Sequence, residues 1–349
     1  MLRIGLIAPA AVPVLPPVYG GTELVVDHLA RGLSRAGHVV VLFTTGDATC
    51  PVERRWVHPR ALGTVVDTRS ELAHVEAAYE ALGGCDLIHD HTLLGPLWGF
   101  ARTVDVPVVA TVHNPFTPEA AGLYELVGSR VAIVAISHHQ RSTAPRVPVA
   151  AVIHHGIDVE QYPLGGGDGG YVLFLGRMSP DKGVHRALAV AKAAGRRLVI
   201  AAKMREPEEL RYFHEVVEPL LDDQVTCLGE ATGPEKIALL AGAEALLNPI
   251  RWAEPFGLVM IEALATGTPV LAFAEGAAPE IVEHGRTGFL CADEDDMAGR
   301  LAEVGRLARH ACRQSALERF STERMVEDHL RLYEHLAGPS HSSADRVPA

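Results

Sequence analysis

Short runs of β-branched and aliphatic residues alternate with amphipathic helical patterns twice along this chain. In the first half the predicted strands are Arg3–Ala8, Val39–Thr44, Leu87–His89, Val108–Val112, Val131–Ile136 and Val149–Ile153. In the second half they are Tyr171–Leu175, Leu198–Ala202, Val225–Leu228, Ala245–Asn248 and Val270–Ala272. Because this alternation is typical of βαβ units around a parallel sheet, we expect two doubly wound, Rossmann-like α/β domains.

A glycine-rich run separates the two halves. Five of the six residues at 165–170 are glycines, which no helix or sheet interior tolerates, so a hinge is expected at 164–170. The first domain would comprise residues 1–163 and a final amphipathic helix at 322–337, and the second domain residues 171–321. The polar tail 338–349 is expected to be mobile. A length of 349 residues agrees with two domains of ordinary size.

The charge balance argues against a nucleic-acid partner. The chain has 31 basic and 43 acidic residues, and its net charge of −12 opposes binding to a phosphate backbone. The 48% of hydrophobic residues also exclude a disordered chain. Lysine is rare, so a retained lysine points weakly to a position that needs a compact ammonium, with chance as the alternative. The lysines are Lys182, Lys192, Lys203 and Lys236.

The cysteines and the apolar segments indicate a cytoplasmic protein. The five cysteines are widely spaced without a Cys-x-x-Cys pair, which predicts buried free thiols in a reducing compartment. Met1–Val14 is expected to form a strand and a loop rather than a signal peptide, because its only leading charge is Arg3 and prolines crowd its end. No apolar run reaches the ~18 residues of a membrane span. Peripheral membrane contact and the oligomeric state stay open.

The clearest candidate for chemistry lies at residues 254–262. Pro255 favours entry into a helix, which places Glu254 just before that helix and Glu262 on its second turn. Both carboxylates could then border one cleft, and the free amides between them would bind an anion. These amides belong to Phe256, Gly257 and Leu258. The group suits a sugar nucleotide, with its diphosphate on the amides and its hydroxyls on the carboxylates; the alternative is an acidic first turn that satisfies the helix dipole.

A second candidate is the loop at 176–183, after the first predicted strand of the second half. Doubly wound sheets bind ligands at the carboxyl edge of their strands, where this loop would lie. Arg177 and Lys182 would place two cations there, suited to a diphosphate. The alternative is a solvated turn in which Asp181 pairs with Lys182.

Two further candidates lie in the first half. The segment Gly20-Gly21-Thr22-Glu23 separates the first strand from its helix, where glycines let backbone amides face a phosphate or a sugar. A tight turn is the alternative. His113 follows an apolar strand at its carboxyl end, either as a catalytic group or as a structural cap.

A metal site is not expected. Adjacent residues on a strand point to opposite faces, so the paired histidines cannot chelate from one face, and the chain has no His-Glu-x-x-His motif. The histidine groups are His89–His91, His138–His139 and His154–His155. The acidic run at 293–296 precedes a helix expected at Met297–Leu307 and is interpreted as its start.

In their order along the chain, these motifs resemble those of the family 4 retaining glycosyltransferases, and the resemblance covers nearly the whole chain. The matching segments are Gly20–Glu23, Asp86–His91, Val112–His113, Gly156–Asp158, Gly176–Gly183 and Glu254–Glu262. The last is the family's Glu-x7-Glu signature with Pro-Phe-Gly in place. The chain departs from the family pattern at His155, where asparagine is usual, and at Ala202, where a glycine commonly precedes the basic residue. The resemblance implies the GT-B fold, in which two Rossmann-like domains face each other across a cleft.

The resemblance also implies roles for individual residues. Catalytic roles fall to His113 at the reacting sugar, Glu254 near the transferred sugar, and Arg177 and Lys182 on the diphosphate. Donor binding falls to Gly20, Gly21, Arg177, Lys182, Phe256, Gly257, Leu258 and Glu262, with Lys203 as a further candidate. In this set Glu262 would hold the ribose hydroxyls, and the paired glycines would close over the phosphates.

We therefore expect an enzyme that transfers a sugar, with retention, from a nucleotide diphosphate sugar to an acceptor hydroxyl. A UDP-sugar is favoured over a GDP- or dTDP-sugar, and neither a cofactor nor a metal is expected. The product would belong to glycolipid, polysaccharide or natural-product biosynthesis, including antibiotics. The alternatives are a non-catalytic sugar-nucleotide sensor and a sugar phosphorylase of the same fold. An oxidoreductase is disfavoured because no Gly-x-Gly-x-x-Gly follows the first predicted strand of either half, where the dinucleotide fingerprint would lie.

Overall fold

The computed structural model describes residues 1–16, 20–63, 66–101 and 106–338. The described chain forms two compact units. Among the described residues, the first contains 1–16, those between 20 and 156, and 322–338, and the second contains 157–321. Each unit has one parallel sheet with helices between its strands, so the predicted fold class, two doubly wound α/β units, is confirmed.

The first unit has a seven-stranded sheet. Its strands are β1 (Arg3–Ile7), β2 (Val39–Phe43), β3 (Glu53–Arg55), β4 (Leu87–Asp90), β5 (Val108–Val112), β6 (Val131–Ala135) and β7 (Val149–Val152), in the order β3-β2-β1-β4-β5-β6-β7. The central strands are almost wholly buried, as expected for a sheet covered on both faces. Each fully buried aliphatic side chain, such as Leu6 or Ile88, contributes about 1.5–3 kcal/mol.

Six helices cover this sheet. They are α1 (Gly21–Arg35), α2 (Thr68–Leu82), α3 (Gly95–Ala101), α4 (Pro118–Val127), α5 (His138–Thr143) and α13 (Thr322–Ala337). Side-chain caps set several starts; for example, Asp67 accepts a hydrogen bond from the amide of Ser70 at 3.0 Å. The last helix packs on α1 closely enough that a Cβ at Gly32 would lie 2.5 Å from Val326. This packing explains why the chain returns to the first unit at Thr322.

The second unit has a six-stranded sheet and seven helices. Its strands are β8 (Val172–Arg177), β9 (Leu198–Lys203), β10 (Val225–Gly229), β11 (Leu246–Asn248), β12 (Val270–Phe273) and β13 (Gly288–Cys291), in the order β10-β9-β8-β11-β12-β13. Its helices are α6 (Val184–Ala193), α7 (Pro207–Tyr212), α8 (Gly233–Gly242), α9 (Leu258–Ala265), α10 (Ala278–Ile281), α11 (Glu294–Arg300) and α12 (Arg309–Phe320). The core between sheet and helices is mainly aliphatic and also contains four aromatic residues, Phe174, Tyr212, Phe273 and Phe289.

Two strands lie outside the sequence prediction. Strand β3 has the sequence Glu-Arg-Arg and lies at a sheet edge, where backbone pairing to β2 suffices and no apolar run is needed. Strand β13 begins at Gly288, where a Cβ would lie 1.9 Å from the carbonyl oxygen of Val270. Close approach of two backbones, rather than side-chain burial, therefore selects the glycine at this position.

The division between the units differs from the predicted one. It falls after Gly156, and the glycine run at 164–170 belongs to the second unit. The amide of Gly165 donates to the carbonyl of Thr266 at 2.9 Å, and that of Gly167 to Ala241 at 3.1 Å. A Cβ at Gly165 would lie 2.1 Å from the oxygen of Ala241. The glycines therefore permit close packing and do not form a hinge.

Two smaller expectations also change. The helix expected at Met297–Leu307 starts earlier and ends at Arg300, before a 3₁₀ turn at residues 304–306. Four cysteines are buried as predicted, but Cys227 on the edge strand β10 is exposed. The tail beyond Gly338, which we expect to be mobile, lies outside the described residues. Nowhere in the described ranges does a helix combine the length and the apolar character that crossing a bilayer requires.

Candidate functional site

The strand order of the second unit creates one point where two loops from neighbouring strands diverge. Strands β8 and β11 are adjacent, while the chain continues from β8 to β9 on one side and from β11 to β12 on the other. Ligands bind at such switch points, outside the carboxyl ends of the strands. The loops that leave this point are residues 178–183 and 249–257, which are the two clearest candidates from the sequence.

An ion pair joins these two loops. Lys182 Nζ donates a hydrogen bond to Glu254 Oε1, and both side chains are largely buried. The ammonium also lies 5.6 Å from the centre of the Trp252 ring, within range of a cation–π contact. The alternative pairing of Lys182 with Asp181 is not formed, because Asp181 pairs with Arg177 at 3.0 Å instead. The structure thus joins two of the predicted residues, Lys182 and Glu254, while Arg177 lies at the end of β8 and pairs with Asp181.

Glu254 is held rigidly. Its amide donates to the carbonyl of Trp252 at 2.8 Å, and its own carbonyl accepts from the amide of Ala277 at 3.0 Å. Its second carboxylate oxygen, Oε2, is buried and has no hydrogen-bond partner among the described residues. Glu254 also lines a cavity of about 10 Å³, at the lower limit for one water molecule, together with Asn248 and Met260.

The helix start behind Glu254 lies later than predicted. Helix α9 begins at Leu258, and Gly257 is its N-cap with φ of 110°, a left-handed conformation that favours glycine. A Cβ at Gly257 would lie 2.5 Å from the methyl group of Met260. The helical N-terminal amides therefore start at Leu258, while those of Phe256 and Gly257 belong to the preceding loop. No side chain caps this end of α9.

Glu262 lies on the second turn of α9, as predicted, and is almost completely buried. Its Oε1 accepts two hydrogen bonds, from the hydroxyl of Tyr162 at 2.9 Å and from Nζ of Lys236 at 2.5 Å. Burial and the Glu262 carboxylate together raise the pKa of Tyr162, which stays a hydroxyl donor. The Glu262 carboxylate therefore has a fixed orientation, supported by two residues that the motif does not contain.

Lys203 is engaged elsewhere. It lies at the carboxyl end of β9, and its Nζ is 3.0 Å from Glu209 Oε1 and 3.4 Å from Glu206 Oε1. Glu209 also accepts hydrogen bonds from the amides of Arg205 and Glu206. The Lys203 ammonium thus stabilises the start of α7. A contact of Lys203 with the donor stays a prediction.

In the first unit, the glycine pair begins helix α1. Gly20 is the N-cap and Gly21 the first helical residue, and no side chain caps this end of the helix. A Cβ at Gly20 would lie 2.9 Å from Pro16 and 3.1 Å from the Glu23 carboxylate. Burial raises the pKa of Glu23 to about 7. This carboxyl therefore titrates near neutrality beside the glycines.

His113 follows β5 and contacts two other histidines. Its Nε2 is 2.9 Å from Nδ1 of His91, so one nitrogen donates to the other, and its ring stacks on His155 at a centroid distance of 5.2 Å. Burial lowers the pKa of His113 to about 3 and that of His91 and His155 well below the usual value. A neutral His113 can donate or accept a hydrogen bond but is a weak general base.

The histidine group extends into the core of the first unit. Both ring nitrogens of His89 are occupied, Nδ1 by the hydroxyl of Tyr333 at 2.6 Å and Nε2 by the hydroxyl of Thr111 at 2.7 Å. His89 therefore has no nitrogen left for a metal. In the acidic run, Asp293 accepts a hydrogen bond from the amide of Asp296 at 2.9 Å, which makes it the cap of α11.

Known families match most of the chain. The family described as "Glycosyltransferase Family 4" matches residues 19–161, and "Glycosyl transferases group 1" matches residues 164–318. The chain belongs to the family 4 glycosyltransferases. This assignment identifies an enzyme and favours the transferase over the sensor and the phosphorylase.

Curated relatives and solved structures agree with this family. The glycosyltransferase is 28% identical to the α-maltose-1-phosphate synthase of Mycobacterium tuberculosis, over 91% of this chain and 96% of the relative. It is also similar to the structure of AviGT4, a glycosyltransferase involved in avilamycin A biosynthesis, with 26% identity, a TM-score of 0.72 and coverage of 97% and 98%. A structure of Anabaena HepE in complex with UDP and glucose has a TM-score of 0.76 at 20% identity, covering 95% and 99%. The GT-B fold class is thereby confirmed.

Three supporting residues escaped the sequence analysis. Tyr162, Trp252 and Lys236 contact the Glu-x7-Glu carboxylates or their partner, yet none lies at a motif position with an assigned role. Only the rarity of lysine singled out Lys236, without indicating a partner. The three are brought to the site by helix and loop packing, which no local pattern records.

Proposed function

We propose that this glycosyltransferase moves a sugar from a UDP-sugar to an acceptor hydroxyl with retention of configuration and without a metal. The observation that carries the proposal is the Lys182–Glu254 ion pair at the switch point of the second unit, next to the uncapped start of α9. Arg177, Lys182 and the start of α9 lie at this switch point, and Glu262 lies on the second turn of the same helix, which supports binding of a diphosphate here.

The cations supply the main electrostatic contribution. When the bond between the sugar and the diphosphate breaks, negative charge grows on the leaving phosphate oxygens. Lys182, Arg177 and the N-terminal amides of α9 would stabilise that charge, and such preorganised groups usually provide the largest share of catalysis. Because two of these groups, Lys182 and Arg177, are cations, we propose that no metal ion is needed; chelation with EDTA should then leave turnover unchanged.

Retention without a protein nucleophile suits the state of Glu254. Its Oε1 is taken by Lys182 and its Oε2 is enclosed, so neither oxygen is free to attack a sugar carbon. We propose a front-face route, in which the acceptor hydroxyl attacks on the side of the leaving diphosphate and its proton passes to the phosphate oxygen. The neutral His113 would then act as a hydrogen-bond partner of the sugar, and Gly20 and Gly21 would contact the phosphates.

The relatives favour a uridine nucleotide as the donor and are compatible with several classes of acceptor. HepE has been crystallised with UDP, UDP-glucose and glucose, which favours a uridine donor here. The relatives are named for different products, as glycogen synthase and α-maltose-1-phosphate synthase, so the proposed acceptor class stays broad: a glycolipid, a polysaccharide or a natural product. The free cysteines support a cytoplasmic location.

A thermal-shift panel tests the donor first. UDP, GDP and dTDP are compared at equal concentration, and the nucleotide that binds should raise the melting temperature with occupancy. Release of that nucleotide from its sugar conjugate, followed by assignment of the anomeric configuration of the product by NMR, tests transfer and retention. Binding of none of the three nucleotides, or an inverted product, would contradict the proposal.

A further inference from the structure

The two oxygens of the Glu262 carboxylate differ in their hydrogen bonding. Oε1 accepts both the Tyr162 hydroxyl and the Lys236 ammonium, while Oε2 makes no hydrogen bond to any residue in the described ranges. A carboxylate can accept about four hydrogen bonds. The unused oxygen therefore retains the capacity to accept bonds from two vicinal hydroxyls of a ligand.

The two supporting residues are themselves fixed. Tyr162 is 5% exposed, and its carbonyl accepts a hydrogen bond from Arg313, which also donates to the carbonyl of Ala265 at 2.8 Å, at the end of α9. Lys236 lies on α8 and reaches Glu262 on the neighbouring helix, with only 20% of its side chain exposed. Both donors thus approach the same carboxylate oxygen from different elements of the second unit.

Lys236 also offsets the cost of burying a charged Glu262 carboxylate. Glu262 is 3% exposed, and an isolated carboxylate in such a place would be costly to keep ionised. Lys236 is the cation nearest to it in the described contacts and compensates its charge. Without Lys236, the carboxylate would lose both its counter-charge and one of the two bonds that fix its plane.

We propose that Lys236 and Tyr162 are positioning residues for the ribose of the donor: they hold Glu262 by Oε1 so that Oε2 faces the ribose hydroxyls. The proposal rests on the proposed function, because it assumes that Glu262 meets the ribose. Lys236 and Tyr162 touch no reacting atom; they act through Glu262 on donor affinity and on the recognition of ribose over deoxyribose.

The test measures recognition of the ribose rather than overall affinity. Calorimetry gives the Kd of UDP and of 2′-deoxy-UDP, and of GDP and 2′-deoxy-GDP, for each variant. A hydrogen bond to a charged group predicts a ratio of deoxy to ribo Kd of about tenfold or more in the wild type. Lys236→Met should bring the ratio close to unity and raise the donor KM with little change in kcat. Lys236→Arg should restore most of the ratio, and Tyr162→Phe should lower it by about threefold, the effect of one weaker hydrogen bond.

Matched controls separate this role from general stability. Lys192→Met removes an exposed lysine of the same unit, and Tyr171→Phe removes a hydroxyl that donates to the carbonyl of Leu239 at 2.9 Å. Neither should change the ratio. In a Glu262→Gln background, Lys236→Met should have no further effect on it, because the two residues act in series.

The outcomes distinguish the two proposals. An unchanged ratio in Lys236→Met would mean that Lys236 contacts another part of the donor or is only structural, and this proposal would fall. If the wild type binds UDP or GDP without discriminating against the deoxy form, the ribose role of Glu262 falls and this proposal with it, while sugar transfer stands. If no nucleotide binds, the proposed function itself is wrong. Should Lys236→Met not fold, Tyr162→Phe decides, since it removes a single hydroxyl.

Discussion

Replacing His329 by glutamine should make the first unit less sensitive to acid. His329 lies on α13 and is buried against His89 and Tyr333. Its Nδ1 donates to the carbonyl of Met325 at 2.8 Å, which leaves Nε2 as the unprotonated nitrogen, buried and without a partner among the described residues. Protonation of Nε2 would therefore create a buried charge without a hydrogen-bond acceptor among the described residues.

The size of the effect follows from the pKa. Burial, with a smaller contribution from Arg324, lowers the pKa of His329 from 6.5 to about 4. Between pH 6.5 and about pH 4, this histidine is protonated in the unfolded chain and neutral in the folded protein. The free energy of unfolding therefore decreases as the pH falls through this window. The full difference is worth about 3 kcal/mol, and about 2 kcal/mol of it is lost between pH 7 and pH 5.

Neighbouring groups titrate as well, in both directions. Burial lowers the pKa of the other histidines of the group in the same way, so acidification destabilises through them too. They are His89, His91, His113 and His155. Burial raises the pKa of Glu23 to about 7 and of Asp90 to about 6, and these carboxyls oppose the trend because the folded state holds their protons more tightly. All these contributions are shared by wild type and variant, and the comparison largely removes them.

Urea unfolding at pH 7 and pH 5 measures the effect. A Trp252→Phe background leaves Trp56 and Trp98, both in the first unit, as the fluorescent probes. The decrease in unfolding free energy from pH 7 to pH 5 should be about 2 kcal/mol smaller in His329→Gln. His335→Gln, an exposed position on the same helix, is the control. An equal decrease in His329→Gln and wild type, or an equal change in the control, would refute the argument.

The remaining predictions concern the site and the packing. Lys182→Ala should lower kcat by about 100-fold or more with an unchanged circular dichroism spectrum; near-full activity would remove its phosphate role, and Lys192→Ala is the matched lysine control. Glu262→Ala should raise the donor KM by about tenfold, since a hydrogen bond to a charged group is lost, and an unchanged KM would exclude the ribose role. Gly288→Ala should lower the melting temperature by several degrees, because its Cβ would lie 1.9 Å from a backbone carbonyl of the neighbouring strand; a wild-type melting curve would show that the strands can separate. In the native protein, Cys227 should react with Ellman's reagent well before the four buried thiols, and simultaneous labelling would contradict their burial.

Sequence alone determined the class of fold and the position of the main motifs. Strand and helix periodicity are local properties, so all eleven strands predicted from residues overlap an observed strand by most of their length. The rule that parallel sheets bind ligands at their carboxyl edge also indicated the loop that carries Lys182. The resemblance to family 4 rested on the same segments.

Tertiary structure decided what depends on residues far apart in the chain. Gly165 packs on Ala241, which assigns the glycine run to the second unit and shifts the division to Gly156. Tyr162 and Glu262 are 100 positions apart, and His89 and Tyr333 are 244 apart. Such pairs arise when helices and strands pack against each other, and their geometry depends on the whole unit rather than on any window of sequence. The periodicity of a segment reveals which of its faces is buried, but the partner on the other side of that face is known only from the folded chain.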